Sequence, residues 1–211
     1  MKISTIKPVD ITIYIAAIFL DSFGIALLTK TAFGATPFGI LITSAALIFP
    51  LSIGIISLLY ESIYIFSASL ISRSRIKFEL LIYSGIFAVM IDFHYRVIPD
   101  LSNLNIYLKI LLTVLAVVFI DVAKALFNIT IFPKLSVVEF IYAIVDRYNF
   151  RLDIIQKSIS LFNVGMGLVF SFIGGSIFYN VGVGTIISLF LFGTVLQWTS
   201  KPIEKLYKKV V

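Results

Sequence analysis

The sequence predicts an all-α polytopic membrane protein in a single integral membrane domain covering residues 1–211, with six transmembrane helices arranged as a 3+3 inverted repeat and two short non-spanning helices between them. Three observations carry this: the composition, the distribution of basic residues, and a pattern that returns after one hundred positions. The chain is 60% hydrophobic and 13% charged, with 20 Phe and 10 Tyr. Soluble domains run at roughly 45–50% apolar and about 25% charged. Too few charges remain to coat a soluble surface, so a cytosolic enzyme, a nucleic-acid-binding domain and a disordered chain are all excluded. With no Cys there is no disulfide framework, thiolate site or Cys nucleophile, and with a single His no His-based zinc site is expected.

The first apolar stretch, 11–32, is too long for the apolar core of a secretory signal, carries Asp21 in its middle and lacks a small-x-small cleavage site. It suffices to cross a hydrocarbon core of about 30 Å at about 1.5 Å per residue. Five further windows follow at about 53–71, 78–98, 110–131, 154–178 and 183–200. The third is the weakest, since only twelve uncharged residues separate Glu79 from Asp92. The basic residues decide in its favour. With six crossings and the N-terminus inside, fourteen Lys and Arg fall on the cytoplasmic side, among them Lys2, Lys7, Lys134 and the four lysines of the tail, against Lys30, Arg96 and Lys109 outside. Both termini are therefore expected in the cytoplasm, in a cell-membrane protein whose immediate partner is the lipid bilayer.

Two segments are too short to cross. Pro37 to Phe49 starts with Thr36 as N-cap and Pro37 at the first helical position, and it stops at Pro50. Being apolar nearly all round, it reads as re-entrant or buried. Ser136 to Tyr148 begins with Ser136 and Glu139 spaced as a capping box and ends in Asp146, Arg147 and Asn149, which places it at the cytoplasmic interface.

The triplet Phe19-Leu20-Asp21 returns as Phe119-Ile120-Asp121, with Ala16 matching Ala116, Thr36 matching Ser136 and Ile55 matching Ile155. Each half, about 11–100 and 111–200, reads as span, short helix, span, span. Three spans is an odd number, so the second half enters the membrane in the opposite sense, as in many secondary transporters.

The stretch Phe23-Gly24-Ile25-Ala26-Leu27 through Gly34-Ala35-Thr36-Pro37, then Leu51-Ser52-Ile53-Gly54, and Gly182-Val183-Gly184-Thr185 before the last span, resembles the bacterial YczE-like membrane proteins, related to the YitT and YyaS group. The likeness covers nearly the whole chain. It implies a polytopic bacterial membrane protein and leaves the substrate open.

The ionisable residues deepest in the expected spans are Asp21, Glu61, Asp121 and Lys124. A charge at the bilayer centre costs at least about 2.5–3.5 kcal/mol, so each must be paired, protonated or facing water. Gly54, Ser57, Glu61 and Ala68 share one helical face, as do Ala17, Asp21, Gly24 and Leu28, and Asn163 lies on a third stripe with Ser160, Gly167, Ser171 and Gly174. For Asp121 and Lys124, one turn apart, a local ion pair and a functional role stand side by side. Asn163 reads as an interhelical hydrogen bonder or a ligand group, and Gln197 and Trp198 as interfacial anchors. Asp21 and Glu61, with no basic residue one turn away, are expected to face an internal cavity from neighbouring helices. His94 beside Asp92 is no metal site, and no cofactor is expected. The function these residues imply is a secondary carrier for a small molecule or ion, working as a homodimer if one copy is too small for alternating access. A capture or accessory subunit of another membrane complex is the other reading.

Overall fold

The computed structural model describes residues 8–130, 132, 135–176, 178–191 and 194–210. The basic residues Lys2, Lys7 and Lys134 lie outside the described residues, as does the side chain of Gln197. Among the described residues all regular structure is helical: α1 (Pro8–Lys30), α2 (Pro37–Ala45), α3 (Ile53–Ser72), α4 (Phe78–Val97), α5 (Ile106–Ile129), α6 (Ser136–Tyr148), α7 (Leu152–Ile173), α8 (Val183–Leu191) and α9 (Thr194–Val210). Five of these, α1, α3, α4, α5 and α7, are long and apolar enough to cross a membrane, the weak third window included.

Local chemistry sets the helix ends. Thr36 accepts a hydrogen bond from the Gly39 amide at 2.9 Å, with Pro37 in the first turn, so α2 begins where the sequence places it. It ends at Ala45, short of Phe49, because residues 46–48 are already turns that lead to Pro50. Ser52 accepts from the Ile55 amide at 3.2 Å at the head of α3, where Asp92 of α4 also accepts from the Gly54 amide at 2.8 Å. Asn105 caps α5 through the Leu108 amide at 2.9 Å. Arg73 and Asn149 end α3 and α6 in the left-handed region, at φ 52° and 55°.

At the centre α1 crosses α5. Gly24 makes the close approach possible, because a Cβ there would lie 2.8 Å from the Ala116 carbonyl oxygen and 2.6 Å from Ile120 Cγ1. Around this pair, α4 flanks α1 while α8 and α9 flank α5. Each short helix packs on the far half of the chain: α2 against α7, and α6 against α3. Buried Ala17, Ile18, Ile25, Phe87, Ile91, Ile120 and Phe127 fill the space between them.

The sixth window, 183–200, is helical over 183–191 as α8 and from 194 on as α9, with 192–193 outside the described residues. α8 starts beside the end of α1, where Gly184 N donates to Phe33 O at 2.8 Å and Ala35 N donates to Asn180 O at 2.9 Å. α9 closes near the start of α1, where Tyr207 donates to Asp10 Oδ1 at 2.5 Å. Both helices pack on α5.

Two expectations need correction. The first concerns Ser136 and Glu139, which form no capping box. Leu135 is the residue before α6 and Ser136 is already inside the helix. The Ser136 hydroxyl donates instead to Glu61 Oε2 at 3.2 Å, and Glu139 pairs with Lys77 at the head of α4. An interhelical partner for each outweighs the local box. The second follows from the same contact. Ser136 is 1% exposed and sits at the level of mid-α3, so α6 starts deep between helices and does not lie flat at the interface.

Candidate functional site

The four ionisable residues singled out from the sequence, Asp21, Glu61, Asp121 and Lys124, come together from three helices. Asp21 on α1 is within electrostatic reach of Lys124 and Asp121 on α5, and Glu61 on α3 is within reach of Asp21. They meet because α1 and α5 touch at Gly24, three residues from Asp21, and because Asp121 and Lys124 are one turn apart on the facing helix. Lys124 Nζ lies 3.6 Å from Asp121 Oδ1, with the Asp121 side chain fully buried and that of Lys124 32% exposed. The local ion pair is thus present and is part of a larger group.

Asp21 and Glu61 are 5% and 6% exposed, and protein side chains face them where a cavity was expected. Glu61 Oε2 accepts from Ser84 on α4 at 2.5 Å and from Ser136 at the N-terminus of α6 at 3.2 Å. The positive end of the α6 dipole therefore meets this carboxylate, an arrangement that favours negative charge. Ser57, one turn earlier on α3 and fully buried, comes within reach of Glu61 without a hydrogen bond of good geometry. Tyr14 of α1, Tyr64 of α3 and Tyr83 of α4 are within electrostatic reach of the same carboxyl. Tyr14 and Tyr83 also pack on one another and on Phe127, with ring centroids 5.5–6.0 Å apart.

Asn163 on α7 sits one step away. Its Oδ1 accepts from Tyr60, and from Tyr64 at 3.3 Å, while the two phenols share a 2.7 Å hydrogen bond. Tyr64 thus touches both the amide and the surroundings of Glu61. Above Asn163, the buried residues of α7 are Gly167 and Ser171, facing α2: a Cβ on Gly167 would meet Ile40 Cγ2 at 2.6 Å, and Ser171 Oγ is 2.8 Å from Ser44 Oγ. Ser160 and Gly174 fall outside that buried set. Asn180 Nδ2 donates to Thr43 Oγ1 at 3.2 Å beside it.

Of the cap residues, Thr36 and Pro37 start α2, whereas Ser136 belongs to the site and Glu139 pairs with Lys77. Trp198 is 76% exposed on α9. His94 is buried, its Nδ1 3.1 Å from Ser22 Oγ and its ring against Phe19, Phe23 and Phe93. Among the described residues no three His, Asp or Glu side chains are grouped as metal ligands.

Sequence reasoning did not find Tyr14, Tyr83, Ser84, Tyr60 or Tyr64. In a chain with 10 Tyr, nothing marks these as different until the helices bring them together. Tyr60 and Tyr64, one turn apart beside Glu61, were the nearest thing to a signal. Neither a curated protein nor a solved structure matches the chain. A family model does match, over residues 9–201, which takes in Asp21, Glu61, Asp121 and Lys124, and the chain belongs to that family of unknown function, DUF6198.

Proposed function

We propose that the chain is a secondary carrier of a small molecule or ion, with its binding centre at Asp21, Glu61, Asp121 and Lys124. The observation that carries this reading is their convergence. Four ionisable side chains from α1, α3 and α5 meet at mid-helix in a chain that is otherwise 60% hydrophobic, and charge at that depth is costly enough to be kept for ion or substrate pathways.

The packing supports an inverted repeat as the frame. Exchange the halves, so that α1 stands for α5, α2 for α6 and α3 for α7. The α1/α5 pair maps onto itself, and α2 on α7 becomes α6 on α3. In this reading α8 and α9 together make the sixth crossing, which the contacts at both ends of α1 support, and both termini lie in the cytoplasm of a cell-membrane protein. The α2/α7 seam, with Thr43, Ser44, Ser171 and Asn180, is the outer approach to the centre. The α3/α6 seam, with Ser136 and the Lys77–Glu139 pair, is the inner one. Half-helices that end near a shared site are the arrangement of many carriers. The expected kinship with YczE-like proteins fits the same picture and names no substrate.

The test is metabolite comparison between a deletion strain and its complemented parent, then uptake of the compound so identified by the purified full-length chain in liposomes. Gradient-driven uptake by the chain alone supports the carrier. Uptake that appears only with a second protein supports the accessory reading, and the absence of any uptake with either overturns transport.

A further inference from the structure

We infer that the ligand of the buried centre is the proton, and that the cluster exchanges two of them, one on Asp21 and one on Glu61, while Asp121 remains ionised against Lys124. This rests on the same residues as the carrier reading, and names its coupling ion.

Charge counting comes first. Fully ionised, three carboxylates and one ammonium leave two uncompensated negative charges among side chains that are 0%, 5% and 6% exposed at Asp121, Asp21 and Glu61. Isolated charge of that kind is not held in a low dielectric; the groups take up a proton or a cation. Asp121 already has Lys124 Nζ at 3.6 Å, so the two charges to be cancelled belong to Asp21 and Glu61.

Geometry then separates proton from metal cation. A sodium or calcium ion needs several oxygens converging on one point. Here each carboxyl has its own surroundings: Asp121 faces Lys124, and the two serine donors to Glu61, Ser84 and Ser136, both meet Oε2. Among the described residues the acids are not grouped as metal ligands. The groups that meet the Glu61 carboxyl are hydroxyls, Ser84 from α4 and Ser136 from α6 with Ser57 one turn away on α3, and the phenols Tyr14, Tyr64 and Tyr83 are within electrostatic reach. Hydroxyls donate and accept alike, so they solvate a carboxyl in either protonation state.

A second, independent feature points the same way. Ser57 Oγ is fully buried, lies on the Glu61 face of α3 one turn away, and makes no hydrogen bond of good geometry. With both serine donors on Oε2, the added proton sits on Oε1 as an O–H, and Ser57 Oγ is the acceptor left for it. Around Asp21 the charged groups are Asp121 and Lys124 from α5 and Glu61 from α3. Binding is proton addition alone: a hydronium or water at the seam gives up H⁺ to a carboxylate oxygen, and the reverse step returns it.

The experiment is infrared difference spectroscopy of the purified full-length chain in liposomes, acid minus alkaline, in potassium and in sodium buffers. The expected result is two protonated-carboxyl C=O bands that shift in D₂O. Glu61→Gln removes one, Asp21→Asn removes the other, Asp121→Asn frees the Lys124 ammonium to compensate Asp21 and leaves the Glu61 band, and Ser57→Ala moves only the Glu61 band, upward. Sodium changes nothing. Absence of pH-dependent carboxyl bands, or their loss on adding sodium at fixed pH, overturns the inference. Should a neutral variant fail to insert, Glu61→Asp and Asp21→Glu serve instead, each expected to displace its own band. Bands present without uptake of any compound would sink the carrier reading and leave the proton site standing; uptake driven by sodium without bands would do the reverse.

Discussion

Gly24→Ala tests the contact on which the buried centre depends. The new Cβ would lie 2.8 Å from the Ala116 carbonyl oxygen and 2.6 Å from Ile120 Cγ1. Ordinary contact begins near 3.4 Å, so the α5 backbone must retreat by at least 3.4 − 2.8 = 0.6 Å at that point, and a rotamer change at Ile120 does not relieve the carbonyl. Overpacking of this kind costs about 1–3 kcal/mol. At ~3 °C per kcal/mol for a chain of this length, the unfolding midpoint falls by about 3–9 °C. Gly85→Ala and Gly165→Ala are the controls, because a Cβ at either meets nothing within 4 Å. On a helix interior they should be neutral or gain up to ~1 kcal/mol. The assay is thermal unfolding of the three purified variants in one detergent, read by intrinsic fluorescence and by monodispersity on gel filtration. If Gly24→Ala unfolds at or above the temperature of the two controls, α1 and α5 are not in contact at Gly24, and the meeting of Asp21 with Asp121 loses its support.

Other expectations follow from particular bonds. Thr36→Ala removes the acceptor for the Gly39 amide and should cost about 1 kcal/mol, whereas Thr36→Ser retains the cap and should be near wild type in the same melt. Asp92→Ala takes away the acceptor for Gly54 N at 2.8 Å and a negative charge at the head of α3, for a loss of about 1–2 kcal/mol, while Asp92→Asn should lose less. For topology, the chain contains no Cys, so single cysteines at 75 and 147 should react with a membrane-impermeant maleimide only in inside-out vesicles, and one at 103 only in right-side-out ones.

Much of the frame was readable because the bilayer leaves few choices: α1, α3, α4 and α7 begin within a few residues of where apolar length and basic flanks place them, although α5 starts earlier, at Ile106 behind its Asn105 cap. Short-range chemistry was readable where its partners are local, as at Thr36 and Pro37. It misled where a distant partner competes. Ser136 and Glu139 have the spacing of a capping box, yet Glu61 and Lys77, more than sixty residues away in the chain, take both side chains. In the site, costly buried charges stand out in an apolar sequence, which is why Asp21, Glu61, Asp121 and Lys124 could be picked out singly. Their hydroxyl shell could not, because Ser and Tyr are cheap to bury whenever a partner is near and so carry no mark in the sequence.

The most direct measurement of the central claim is activity per folded molecule for Asp21→Asn and Glu61→Gln, with the amount in the membrane measured in the same cells. If the buried acids carry the function, both variants insert at wild-type levels, since neutralising an uncompensated buried charge relieves its desolvation cost, and both fail to restore the metabolite pattern of the deletion strain. Restoration in proportion to the folded protein present would contradict the account and make the four residues a structural cluster.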